Sequence, residues 1–320
     1  MSGIYFDAVS KQYPDATLPA VNDVTLQVPE GSLVVLLGPS GCGKTTLLKM
    51  VNRLHEPTSG EIWLADVEIR QQEITTLRRR IGYVIQQVGL FPHMTIEQNV
   101  AVVPELLKWE RSRIDLRIDE LLTMVNLDPG EFRKRHPAQL SGGQQQRVGL
   151  ARALAADPEV MLMDEPFGAI DAITRTSLQE EVMQLQHRLK KTILFVTHDV
   201  DEALRIADYI VVMREGRVVQ FDQPCVLLGR PANDFVRKLL NTDDRVRQIG
   251  LLQVDSVMQP LPENYAYQGE PALHTGQDLR RALSLLLQPG IQMVPVLNEA
   301  DQPVGAVTIE RIRSSNGCDG

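Results

Sequence analysis

The sequence is poor in cysteine, has no long apolar run and carries no surplus of positive charge. Its three cysteines, Cys42, Cys225 and Cys318, are an odd number at no metal-ligand spacing, which fits a reducing compartment. No apolar run exceeds five residues, as in Leu33–Leu37. Crossing a bilayer takes roughly 20, so a membrane-spanning role is not expected. The opening stretch has neither a basic start nor an apolar core, and no secretory signal is read from it. Lys and Arg total 33 against 41 Asp and Glu, a net charge of −8, which argues against a nucleic-acid partner or a general anion trap. What is present is ordinary: 43% hydrophobic and 23% charged residues in a chain of 320. That profile fits a soluble protein of two domains at roughly 150 residues each.

Short apolar runs alternate with amphipathic stretches. The runs Leu33–Leu37, Ile81–Ile85, Val160–Met163, Ile193–Val196 and Ile210–Met213 lack polar alternation, as expected of strands covered on both faces. Helical patterns follow at Lys44–Asn52, Thr174–Lys190 and Val200–Ala207, so an α/β core with a parallel sheet is expected. Ile4–Val9 and Val24–Val28 read instead as a hairpin-like β region, and residues 90–140 as a helical insertion. After Phe235 the composition shifts, and a small βαβ-like pattern begins near Leu251.

Gly38-Pro39-Ser40-Gly41-Cys42-Gly43-Lys44-Thr45 satisfies G-x-x-x-x-G-K-[ST] between a strand and a helix. Glycines let backbone N–H groups wrap phosphates, and the helix start adds partial positive charge. Lys44 would reach the β- and γ-phosphates, and the Thr45 hydroxyl would ligate Mg²⁺. Val160–Met163 ends in Asp164-Glu165. Asp164 can face the Mg²⁺ shell, and Glu165 can polarise an attacking water. Leu140-Ser141-Gly142-Gly143-Gln144 opens a further helical pattern with Ser141 as its cap, a second helix start able to approach an anion.

In this order the motifs resemble an ABC transporter ATP-binding subunit, over residues 1 to about 237. The resemblance implies a P-loop NTPase cassette with a parallel-sheet core, an N-terminal antiparallel β subdomain and an inserted helical subdomain near 90–140. Gly38–Thr45, continued by Thr46, is similar to the Walker A motif, Leu140–Gln144 to the signature and Met161–Glu165 to the end of Walker B. Gln86 stands at the Q-loop glutamine, Asp171 at the D-loop aspartate, His198 at the switch histidine and Tyr13 at the aromatic that stacks on adenine. The D-loop reads Gly168-Ala169-Ile170-Asp171 where Ser-Ala-Leu-Asp is commoner. Tyr5 and Phe6 compete with Tyr13, and Gln87 duplicates the amide beside Gln86.

The implied activity is ATP hydrolysis with Mg²⁺, held by Thr45, Gln86 and Asp164, with Glu165, Gln86 and His198 in the catalytic roles. Two subunits would close head to tail, each presenting Ser141, Gly142, Gly143 and Gln144 to the other's ATP. The implied partners are a second copy, integral membrane permease subunits and an extracytoplasmic substrate-binding protein. The implied location is the cytoplasmic face of the inner membrane. Val88–Met94 stands where such subunits receive a permease helix.

Ile81–Gln87, Gly89–Met94 and Pro231–Val236 look like the glycine betaine, choline and carnitine importers. Import of another solute such as an amino acid, or a soluble non-transport ATPase of this family, are the alternatives. Residues 254–313 resemble a single CBS motif, a small α+β tail after a linker at 238–253. Val254–Met258 opens it, Gln277–Leu287 reads as its helix, and Met293–Val296 and Val304–Ile309 as strands. Residues 238–320 hold seven Lys and Arg against ten Asp and Glu, without the basic cluster that anionic lipid would need. The motif would sense ionic strength or an adenine nucleotide, or would cap a dimer without a ligand.

Overall fold

Alternating burial along the first strand makes a sheet with one covered face. Ile4, Phe6 and Val9 of β1 (Ile4–Lys11) are buried while Tyr5 is exposed, and β2 (Val21–Val28) pairs with it antiparallel. The computed structural model describes residues 3–86, 89–168, 170–262 and 265–314. The chain divides into two compact units, residues 1–221 and 222–320.

In the first unit, β3 (Leu33–Leu37) is followed by α1 (Lys44–Val51). β4 (Ser59–Leu64) and β5 (Val67–Glu68) then complete a four-stranded sheet in the order β2-β1-β4-β5. After α2 (Ile74–Arg79), strands β6 (Ile81–Val84), β7 (Val160–Asp164), β8 (Thr192–Thr197), β9 (Tyr209–Arg214) and β10 (Arg217–Asp222) join β3 in a six-stranded sheet. Its order is β10-β9-β3-β8-β7-β6, with β6 to β9 and β3 running parallel. Every residue of β3 and β8 is buried, as their unbroken apolar runs require. Tight Glu215-Gly216, both at positive φ, turns the chain from β9 into β10.

The helical insertion is present. α3 (Ile96–Leu106), α4 (Arg111–Met124) and α5 (Pro129–Phe132) precede α6 (Gly142–Leu154), and α6 packs on α3 and α4. α7 (Ala172–Leu189) and α8 (Val200–Ile206) follow β7 and β8, giving the strand–helix alternation of a parallel sheet. The expected strands and helices of the core all form, within a residue or two at their ends.

In the second unit, α9 (Pro224–Gly229), α10 (Asp234–Leu240) and α11 (Arg245–Gly250) precede β11 (Leu273–His274), α12 (Leu279–Leu286), β12 (Met293–Leu297), β13 (Pro303–Thr308) and α13 (Ile309–Ser314). β11 and β12 are parallel across the α12 crossover, and β13 returns antiparallel. Val254, Leu273, Leu279, Ala282, Val294, Val296 and Val307 form its core. The division falls at 221/222 rather than at 237, because α9 packs on α10 and α11. Residues 238–253, read as a linker, instead hold the end of α10 and all of α11, which packs on α12. Among the described residues no helix is long and apolar enough to cross a membrane.

Candidate nucleotide site

The loop between β3 and α1 is shaped by backbone packing that excludes side chains at both of its ends. A Cβ on Gly38 would lie 2.3 Å from the Met213 carbonyl oxygen, and one on Gly43 would lie 2.2 Å from that of Ala20. Their φ angles of 156° and 103° lie where L-residues rarely go. Between them Pro39, Ser40 and Gly41 form an exposed rim, while Cys42 is buried. Lys44 is only 5% exposed, yet its ammonium donates to the carbonyls of Gly38 and Pro39 at 2.7 and 3.0 Å. The cation is therefore held against the loop, within reach of anything the loop binds. Thr45 and Thr46 follow in the first turn of α1, both half-buried.

β7 brings the first carboxylate to that turn. The Thr45 hydroxyl donates to Asp164 Oδ1 at 2.9 Å, and Lys49 Nζ lies 3.9 Å from Oδ2. Burial pushes the Asp164 carboxyl up, opposed by the Thr45 hydrogen bond and the Lys49 charge. Burial, with the Asp164 charge behind it, also pushes the Tyr83 hydroxyl of β6 up to about 12. The next residue departs from the strand: Glu165 has φ +46° and its N–H donates to the Val196 carbonyl of β8. Its carboxylate thereby turns to other partners. Gln86, just past β6, donates through Nε2 to Glu165 Oε2 at 3.4 Å, and His198 Nδ1, just past β8, lies 3.2 Å from Oε1. Three parallel strands thus deliver Gln86, Glu165 and His198 to one cluster at their C-terminal ends, where open α/β sheets bind ligands.

Other expected residues stand elsewhere. Ser141 and Gln144 close a capping box at the start of α6, with bonds of 2.9 and 3.3 Å. Gly142 faces open space, whereas a Cβ on Gly143 would press on Thr174 of α7. Asp171 caps α7 through the Thr174 N–H at 3.1 Å. These contacts order the starts of α6 and α7 themselves and involve no residue of the Lys44 loop. Tyr13 is half-buried, with the His55 ring edge-on at 5.8 Å and Lys11 Nζ 5.2 Å from its centre. Phe6 is fully buried in the core and cannot stack on a ligand, while Tyr5 is 37% exposed on β1. Gln87, Val88 and Ala169 lie outside the described residues.

Sequence reasoning missed Lys49, His55 and Lys11. Lys49 follows Thr45 by four positions, so the helical period alone puts both on one face of α1. Lys11 lies only two positions before Tyr13, whereas the pairing of the distant His55 with Tyr13 leaves no such local trace.

Comparison with known proteins follows the same motifs. The ABC transporter family profile matches residues 21–168. The glycine betaine uptake system ATP-binding protein YehX of Escherichia coli (strain K12) is 51% identical over 304 residues, 95% of this chain and 97% of that protein. The glycine betaine/carnitine/choline transport ATP-binding protein OpuCA of Bacillus subtilis (strain 168) is 44% identical over 96% of this chain and 78% of its own length. The sulfate/thiosulfate import ATP-binding protein CysA of Gloeobacter violaceus is 46% identical, but over 237 residues, 74% of this chain and 67% of that protein. Among solved structures, the dimeric post-hydrolysis state of the ATP-binding cassette MJ0796 bound to ADP and Pi matches with a TM-score of 0.61 at 32% identity. That match covers 69% of this chain and 98% of the other.

Proposed function

The chain belongs to the ATP-binding subunits of ABC transporters, and from that premise we propose that it drives import of osmoprotectant quaternary amines such as glycine betaine, choline or carnitine. It is an ATPase. One observation carries the substrate class: the similarity to the glycine betaine and carnitine/choline relatives spans 95–96% of the chain, second unit included. Similarity to the sulfate relative stops at 74%.

For hydrolysis, the loop Gly38–Gly43 would wrap the phosphates of ATP, with Lys44 against the β- and γ-phosphates, Thr46 beside them and Tyr13 on the adenine. Glu165 serves as general base. It accepts a proton from water as the water oxygen bonds to the γ-phosphorus and the bond to the β-phosphate oxygen breaks, leaving ADP and phosphate. Gln86 and His198 hold the Glu165 carboxylate and the water in line. The donor set at Thr45 suits Mg²⁺: a hydroxyl and a carboxylate oxygen 2.9 Å apart are hard ligands. Desolvation that pushes Asp164 up is relieved by a bound cation. Gln86 would add an amide oxygen. When bound, Mg²⁺ supplies charge neutralisation at the phosphates.

Asp171 and the Ser141–Gln144 helix start would act on the ATP of a second copy, closing head to tail as two subunits. That reading draws on the dimeric cassette among the similar structures and explains why one chain carries two anion-binding helix starts. ATP then favours the closed state over the open one, and hydrolysis reverses the preference. The chain would sit on the cytoplasmic face of the membrane against permease subunits, served by an extracytoplasmic substrate-binding protein. Phe91, 40% exposed, lies in the segment that would meet the permease. The second unit would act as a single CBS-like motif (254–313), regulating transport or supporting the dimer.

Reconstitution with the cognate permease and binding protein tests the assignment. Betaine, choline or carnitine is expected to stimulate ATP hydrolysis, and amino acids to leave it at the basal rate. Stimulation by amino acids alone would transfer the chain to another importer class.

A further inference from the structure

Two helices carry the residues that would face a partner's ATP, and side chains join them at two levels. Gly143 and Arg147 are four positions apart on α6, so they share one face. Thr174 and Glu181 are seven apart on α7 and likewise share a face. At the first level a Cβ on Gly143 would stand 2.5 Å from Thr174 Cγ2. The helices are in contact there, with only a glycine between them. At the second level Arg147 Nη2 donates to Glu181 Oε1 at 2.5 Å, and the Ser177 hydroxyl donates to the same oxygen at 3.3 Å. Both side chains of the ion pair are largely shielded, with 20% and 15% exposure. Moving from the first level to the second runs toward the C-terminus on both helices. The two helices therefore point the same way, and their capped starts, Ser141 and Asp171, sit at the same end.

We infer that Arg147 and Glu181 are positioning residues that lock the signature helix to the helix capped by Asp171, so that both starts reach the other subunit's nucleotide as one body. The inference rests on the head-to-tail reading above. Neither residue touches ATP. Their effect is to cut the freedom that closing must otherwise remove, which lowers the ATP needed to close. A charge-assisted pair at this distance holds its geometry because both groups are mostly withdrawn from water.

The test uses the full chain carrying Glu165→Gln, with ATP-driven dimerisation followed by light scattering. Adding Glu181→Gln is expected to raise the ATP concentration at half-dimerisation about tenfold. Affinity of the monomer for a fluorescent ADP should stay unchanged. Arg147→Lys, which keeps the charge but loses the fork geometry, should show a smaller shift in the same direction. The exchange Arg147→Glu with Glu181→Arg should recover most of the loss. Dimerisation at the parent's ATP concentration in every variant overturns the inference. So does a loss of ADP affinity that tracks the loss of dimerisation, since that marks a general folding role. If the Glu165→Gln parent itself stays monomeric with ATP, the head-to-tail reading falls, and the inference with it.

Discussion

Glu165 shows how one residue's role depends on a backbone angle. Asp164 continues β7 and meets Thr45, while Glu165, at φ +46°, breaks from the strand and meets Gln86 and His198. Adjacent carboxylates are therefore separated, one against the Thr45 hydroxyl and the other between Gln86 and His198. Replacing Glu165 by Gln keeps the shape and removes the proposed base. Hydrolysis should fall by about 100-fold or more, with nucleotide affinity intact and an ATP-bound dimer accumulating. Turnover within a few-fold of the natural protein would remove Glu165 from that role. The acidic pair was legible in the sequence as the end of an apolar run. The division of labour within it was not, because the partners of each carboxylate come from other strands. Tyr13 illustrates the same limit: its role rested on position, and only burial shows that Phe6 is unavailable.

Elements depend on polar groups that the sequence presents as surface residues. Asn99 lies inside α3 and is fully buried. Its Oδ1 accepts from the Phe91 N–H at 2.8 Å, and its Nδ2 donates to the carbonyls of Phe91, Met94 and Thr95 at 3.0–3.3 Å. It pins the segment that would face the permease to the start of α3. Asn99→Ala takes the acceptor from the Phe91 N–H and a donor from each carbonyl, and should cost about 1–3 kcal/mol. A lowered melting temperature would register that cost, and coupled transport should fall further than basal hydrolysis. An unchanged melt would show that the segment is held some other way.

Glu202 of α8 is buried against Gln179 of α7, whose amide donates to it at 2.9 Å. Burial raises its pKa, opposed by hydrogen bonds from Thr197 and Gln179. The folded state then holds the proton more tightly than the unfolded chain, so the ionised group opposes folding above the raised pKa. That penalty shrinks as pH falls through the folded pKa toward the unfolded value. Glu202→Gln should melt at or above the natural protein at neutral pH, with the gap closing toward about pH 5. A gap that widened on acidification would reverse the sign assigned here. Neither residue was legible in the sequence, where a polar side chain within a helix reads as a solvated one.

At the scale of the whole molecule, every residue placed at the nucleotide lies before position 222, and the second unit has its own hydrophobic core. Removing residues 223–320 should therefore leave ATP binding and hydrolysis in place. In the reconstituted importer the same truncation should abolish any response of transport to osmolarity. Regulation that survives the truncation would leave the second unit a dimer support alone, and loss of hydrolysis would give it a part in the site.

The sequence by itself determined the covered parallel sheet, the phosphate loop and the second helix start, because each is written in a local pattern. Unbroken apolar runs need cover on both faces, and a glycine-framed loop before a helix exposes N–H groups whatever surrounds it. Only the tertiary structure decided that Thr45 meets Asp164 across 119 positions, that α9 and α10 fold with the second unit, and that Arg147 finds Glu181. Those pairings join residues distant in the chain, and only the packed arrangement of strands and helices fixes which of them meet.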